Sequence, residues 1–320
     1  MTDYNLVYMA KPGYGGWVSF TAHLSLKHNY NLYKITKRNE KKKRNYGYGV
    51  QYLNQDIDTI IKLPNLIITA IDKNYYNFLD KFPDGTSIVI HDPTEVKGKS
   101  TQPVIDNLKR FNIITIRKTV QKHLKDTFNV DSKFIHHPFY AYNLAENNIN
   151  KKGAVSISRI DYDKNTDIIL KTNTNLEDKI PIHGCKNDLY VYRKLLVLDS
   201  MNEKDTESCY KGRFEKSFTA VSNILNNHKF MVDMSSIYKD GGGSQYTFLE
   251  AIYNNCILIL NKKWIDGLDT PFIDGKNCFV VKDEHELLEL IKSNPDIYDM
   301  LPNSYKLLEP HINSDWTNLK

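Results

Sequence analysis

The chain has 320 residues, 41% of them hydrophobic and 25% charged, with a formal net charge of +5. Those proportions belong to a globular protein and exclude a disordered or fibrous one, and the length exceeds one ordinary hydrophobic core, so two packed domains are expected. No apolar run is long enough to span a bilayer, and residues 1–10 lack a basic start ahead of an apolar stretch, so the expectation is no membrane insertion and a cytoplasmic location, the host's cytoplasm for a viral protein.

Residues 5–9 read as a buried strand, a glycine-rich turn follows, and residues 17–27 carry apolar side chains at helical spacing. Strand, turn, helix is the opening unit of a parallel sheet. The segment Lys37-Arg38-Asn39-Glu40-Lys41-Lys42-Lys43-Arg44 concentrates positive charge. A solvated loop is its first reading; contact with a phosphate backbone through Lys41, Lys42, Lys43 and Arg44, with double-stranded DNA as partner, is the second.

Further apolar runs at 63–71, 87–90 and 113–116 read as strands. His91-Asp92 follows the third strand, at the carboxyl end where open α/β sheets place ligands; a satisfied structural histidine is the competing reading. His136-His137-Pro138 reads as a strand end rather than a metal site, and the polar stretch 145–153 as a linker. The expected domains are therefore 1–150 and 151–320, with the last helix packing back on the first domain.

The pattern then restarts. Strands are expected at 154–158, 180–183, 230–234, 256–260 and 278–281, with helices at 218–225, 246–253 and 284–291. Cys185, Cys209, Cys256 and Cys278 lie far apart with no Cys-x-x-Cys pair, which favours reduced thiols over structural zinc.

Two constellations carry chemistry. Asp240-Gly241-Gly242-Gly243-Ser244-Gln245-Tyr246-Thr247 leaves a strand and enters a helix, so backbone N–H groups can approach an anion at a helix N-terminus. Glu250 follows within that helix and suits the vicinal hydroxyls of a ribose. A flexible glycine loop before an ordinary helix fits the same residues. Arg159 and Lys164, five residues apart after strand 154–158, can clamp a diphosphate, or stand as two surface cations. The intervening Asp161 and Asp163 read as charged-loop residues and not as metal ligands.

Taken together, these residues make the second half resemble the donor domain of the retaining glycosyltransferases of family 4, which have the GT-B fold: α/β, two Rossmann-like domains with parallel sheets facing a central cleft. The resemblance implies that Arg159 and Lys164 contact the donor diphosphate and that Glu250 binds ribose. Gly242, Gly243, Ser244, Gln245, Tyr246 and Thr247 would line the donor site. The family's first glutamate is replaced by Gly242, with Asp240 or the glycine-run amides as its candidate substitutes. The segment 274–281 is similar to the family's stretch before its final helices.

In the first half, the loop 9–17 resembles the family's first strand-to-helix loop, whose glycines, here Gly15 and Gly16, would face donor phosphate and acceptor. A dinucleotide fingerprint competes, but no acidic residue clearly ends the second strand. His91 stands where family members carry a histidine that hydrogen-bonds the donor sugar, and Asp92 adjoins it.

The implied activity is retaining transfer of a hexose from a UDP-sugar, with no metal and no cofactor beyond the donor. Tyr246, Thr247, Leu249 and Glu250 are similar to a segment of phage DNA alpha-glucosyltransferases, which points to a 5-hydroxymethylated pyrimidine in DNA as acceptor. A glycan, lipid-linked or protein acceptor is the alternative, and a non-catalytic nucleotide-sugar-binding or DNA-binding protein is the reading from another class.

Overall fold

The computed structural model describes residues 3–144, 151–192, 209–236, 246–265 and 270–319. It divides into two compact units: Met1–Ala141 together with Pro310–Lys320, and Tyr142–Glu309. The break thus precedes residue 150, because Tyr142 stacks on Phe218 at 4.4 Å and accepts a hydrogen bond from Tyr253 through its carbonyl. Residues 145–150, most of the expected linker, lie outside the described residues.

The first unit is built on eight strands: β1 (Asn5–Met9), β2 (Asn31–Ile35), β3 (Arg44–Gly47), β4 (Val50–Gln55), β5 (Leu66–Ile71), β6 (Ser87–Ile90), β7 (Asn112–Thr115) and β8 (Lys133–Phe134). Their order is β3-β4-β2-β1-β5-β6-β7-β8, parallel except for the β3–β4 hairpin at one edge. In β1 and β5 every residue is buried, as a strand covered on both faces requires. From β1 the chain moves to one side, through β2 and β4, and then returns to β5 on the other, so a topological switch point lies between β1 and β5.

The helix Gly16–His28 starts after Gly15, whose φ of 102° lies in the region that favours glycine. The residues from Val18 to Ser25 are all buried. A helix buried all round needs cover on its second face. The chain's last residues supply it: Trp316 packs edge-on against Phe20, and Lys27 Nζ donates to the carbonyls of His311, Ile312 and Ser314, capping the end of helix Leu301–Ile312.

The second unit repeats the scheme with β9 (Ala154–Ile157), β10 (Ile182–His183), β11 (Tyr210–Gly212), β12 (Phe230–Asp233), β13 (Ile257–Asn261) and β14 (Cys278–Val281). The order is β11-β10-β9-β12-β13-β14, and every pairing is parallel. Helix starts are capped locally: Ser217 accepts from Ala220 N–H ahead of Phe218–Asn226, and Asp283 accepts from His285 and Glu286 N–H ahead of Glu284–Ser293. Here the switch point falls between β9 and β12.

Candidate functional site

In an open α/β sheet, neighbouring strands at a switch point send their carboxyl-end loops in opposite directions, leaving a crevice there. In the second unit that crevice receives the loop after β9, which carries Arg159 and Lys164. Three contacts latch this loop to the end of β12: Asn165 Nδ2 donates to Met234 O at 2.8 Å, Ser236 N–H to Asp163 O at 3.1 Å, and Lys164 Nζ to Ser235 Oγ at 3.1 Å. Lys164, with its side chain only 12% exposed, is therefore fixed at the crevice.

Arg159 is freer, 56% exposed, with Nη1 3.5 Å from Asp161 Oδ2 and Nη2 3.2 Å from Asp163 Oδ2. Asp163 also lies 3.4 Å from Lys164 Nζ. Two cations are thus balanced by two carboxylates, and an incoming anion has to displace exposed ion pairs, which are individually weak. Asp161 is further engaged as cap of the turn Tyr162–Lys164 and as acceptor from Asn187 Nδ2.

The other side of the loop rests on β10 through a residue that the sequence reading missed. Gly184 has φ +152°, and a Cβ there would lie 2.2 Å from the Ser158 carbonyl oxygen. Only glycine lets the end of β10 lie against the Ser158–Arg159 backbone. Its one visible signal is a glycine directly after the short apolar run ending at His183.

Helix Tyr246–Tyr253 places Glu250 inward, 4% exposed, and burial pushes its carboxyl up to about 8. Asn254, one turn on, donates both N–H and Nδ2 to the Glu250 carbonyl and Nδ2 to the Tyr142 hydroxyl. Tyr246 is buried a turn before it and Thr247 is half-buried. Gly242, Gly243, Ser244 and Gln245, with Asp240, lie outside the described residues.

In the first unit the switch point holds the loop after β1. Its base is pinned: Lys11 N–H donates to Asp72 Oδ2 at 2.6 Å, Asp72 N–H to Met9 O at 3.0 Å, and the Tyr8 hydroxyl to Pro12 O at 2.5 Å. Beyond that base, a Cβ built on Gly15 or Gly16 would meet nothing within 4 Å, so the loop's crest faces open space.

His91, just past β6, is buried, with Nε2 2.8 Å from Thr69 O. That contact assigns the ring proton to Nε2 and makes Nδ1 an acceptor. Burial holds the imidazole down at about 4, so it is neutral. Asp92 caps the turn Pro93–Val96 by accepting from Thr94 N–H and the Thr94 hydroxyl.

The basic segment is split by the fold. Arg44 is bound in a fork to Glu40 at 2.7 and 2.8 Å, while Lys41, Lys42 and Lys43 are exposed. The pairing Arg44↔Tyr52 and the Glu40 N–H to Asn54 O bond set these lysines alongside β4, between the positions opposite Tyr52 and Asn54, at the β3–β4 edge of the sheet. β3 stands three strand spacings from β1, roughly 14 Å. Among the described residues, no group of three or more His, Cys, Asp or Glu side chains could hold a metal ion, and the four cysteines are unlinked.

No family model and no curated protein sequence matches the chain. Solved structures do. HepE of Anabaena, in complex with UDP and glucose, matches with a TM-score of 0.67 and 10% identity over 96% of this chain and 95% of that one. The lipopolysaccharide outer core galactosyltransferase WaaB matches at 0.55 and 12% identity, over 96% and 95%. TarM of S. aureus, in complex with Fondaparinux, alpha-GlcNAc-glycerol and UDP, matches at 0.54 and 17% identity, over 79% of this chain and 52% of TarM. At such identities the likeness is one of fold: the chain has the α/β, parallel-sheet fold of the GT-B glycosyltransferases.

Proposed function

We propose that the chain is a hexosyltransferase that takes its sugar from a UDP-hexose, binding the nucleoside diphosphate on the unit Tyr142–Glu309 and the acceptor on the unit Met1–Ala141. The observation that carries this reading is the placement of Lys164 and Arg159 at the β9–β12 switch point, with the first held against Ser235. As the donor bond breaks, negative charge grows on the diphosphate, and fixed cations stabilise it without reorganising. Those two side chains give the leaving group its countercharge, so the proposed transfer is metal-independent.

Glu250, at the far end of the nucleotide, accepts from the ribose hydroxyls. His91 offers Nδ1 to a hydroxyl of the transferred sugar, with Asp92 holding the adjoining turn, and Gly15 and Gly16 allow close approach of donor phosphate and acceptor. Among the described residues, no carboxylate on these strand ends is poised as a nucleophile, which favours attack from the face the nucleotide leaves and hence retention. This is the family 4 pattern, with Gly242 in place of its first glutamate. Titration with UDP and UDP-hexoses, followed by assay of labelled sugar release or transfer, tests it; binding of no activated sugar would end it.

The acceptor in this reading is a hydroxymethylated base in double-stranded DNA, whose phosphate backbone would meet the exposed Lys41, Lys42 and Lys43 at the β3–β4 edge of the first unit. Label entering hydroxymethylcytosine or hydroxymethyluracil DNA but not plain DNA or simple glycans is the expected result, and label entering only a glycan would overturn it.

A further inference from the structure

A buried carboxyl group outside the residues assigned above joins the two loops on which the first unit's role rests. Glu95 is 8% exposed. Its Oε1 accepts from Trp17 Nε1 at 3.1 Å and its Oε2 from the His91 backbone N–H at 3.0 Å. Trp17 is the second residue of helix Gly16–His28 and directly follows the glycine loop; His91 is the first residue after β6. One turn further along the same helix, the Thr21 hydroxyl lies 2.8 Å from Thr69 Oγ1, while the carbonyl of Thr69 receives His91 Nε2. The rings close the cluster, with Trp17 at 6.2 Å and Phe20 at 4.8 Å from His91.

A carboxyl is costly to bury unless its oxygens are satisfied, and here both are, by donors from two different loops. An apolar side chain would leave both donors without this acceptor. What Glu95 adds is geometry: its two oxygens fix the indole N–H at the start of the helix relative to the backbone that presents the His91 ring.

We propose that Glu95 is a positioning residue that sets the glycine loop Gly13–Gly16 in register with His91, and so governs the turnover step more than donor affinity. The proposal rests on the transferase reading for its kinetic part. Glu95→Gln keeps the shape and, with its amide oxygen on the His91 N–H, turns its N–H₂ toward the Trp17 indole N–H, releasing that anchor; Trp17→Phe removes the same anchor from the other side.

The experiment measures steady-state kinetics and backbone hydrogen exchange on wild type, both single variants and the double variant. Glu95→Gln is expected to lower kcat about tenfold with donor KM within twofold, and to speed exchange at residues 13–20 at least tenfold while helix Lys118–Phe128 is unchanged. The double variant should be no worse than the more impaired single one, since both break one bond. Wild-type kcat in Glu95→Gln, additive losses, or unchanged exchange at 13–20 would overturn the proposal. Absence of turnover in wild type would count against the transferase reading alone, and the exchange result would then decide whether Glu95 anchors the loop.

Discussion

The two units share a topology, a parallel sheet with a central switch point, and differ in what stands at its carboxyl edge. In the first, the carboxyl edge from β1 to β6 carries glycines, a neutral buried histidine and a loop pinned by the Asp72 carboxylate and the Tyr8 hydroxyl. In the second, the β9–β12 edge carries two cations, Lys164 latched to the end of β12 and Arg159 paired with the carboxylates of its own loop. Fold alone does not say which edge takes a diphosphate; the proposal rests on the strand-end side chains. In the proposed function the cations give the leaving group to the second unit.

The largest expected effect breaks that contrast directly. Lys164→Ala should lower kcat for donor cleavage by about 10²–10³-fold, the scale for loss of one preorganised charge-stabilising group. Arg159→Ala, removing an exposed and already paired guanidinium, should cost about tenfold. Equal losses, or none, in a labelled-donor assay would contradict the different fixation of the two cations.

Next comes Gly184→Ala. Its Cβ would meet backbone at a distance no packing tolerates, so a loss of about 2–3 kcal/mol in denaturant unfolding is expected, with weaker UDP binding in whatever remains folded. A neutral effect would mean that the Arg159 loop does not rest on β10.

Acid should separate the units. His91 is held down at about 4, and His23 and His311 at about 3, by burial; His137 is also held well below the ordinary range. All four belong to the first unit. Between those values and about 6.5 the unfolded chain binds more protons than the folded one, so their contribution is complete above pH 6.5 and is lost as pH falls. In the second unit His183 and His228 are only partly buried. The first unit should therefore unfold at the higher pH, read by fluorescence of the fully buried Trp316.

The smallest effect concerns Glu250. With its carboxyl near 8, the unliganded site is protonated at neutrality, whereas ribose hydroxyls donate to the ionised form. Binding then releases a proton, and UDP affinity should rise by up to about tenfold per pH unit until about 8 and level off above it. Glu250→Gln should flatten that dependence; calorimetry in buffers of different ionisation heat reads the proton directly.

Much of this was legible in the residues because parallel strands buried on both faces leave unbroken apolar runs. β1, β6 and β14 fall where residues 5–9, 87–90 and 278–281 placed them, and helix Tyr246–Tyr253 does too. β2 and β4 escaped because Lys34, Gln51 and Asn54 interrupt them, and β3, β8 and β11 because two to four residues at a sheet edge carry no period. Of the candidate site, Arg159 and Lys164 were singled out from their spacing after a strand. Ser235, Gly184 and Glu95 were not, since each depends on a partner far along the chain or on which strands become neighbours.

A crystal structure of the chain soaked with UDP is the most direct test. The diphosphate should lie within hydrogen-bond reach of Lys164 and Arg159, with Asp163 displaced from at least one of them. Density for the diphosphate on the Gly13–Gly16 loop of the first unit, with the Arg159 and Lys164 ion pairs intact, would contradict the assignment of the leaving group to the second unit.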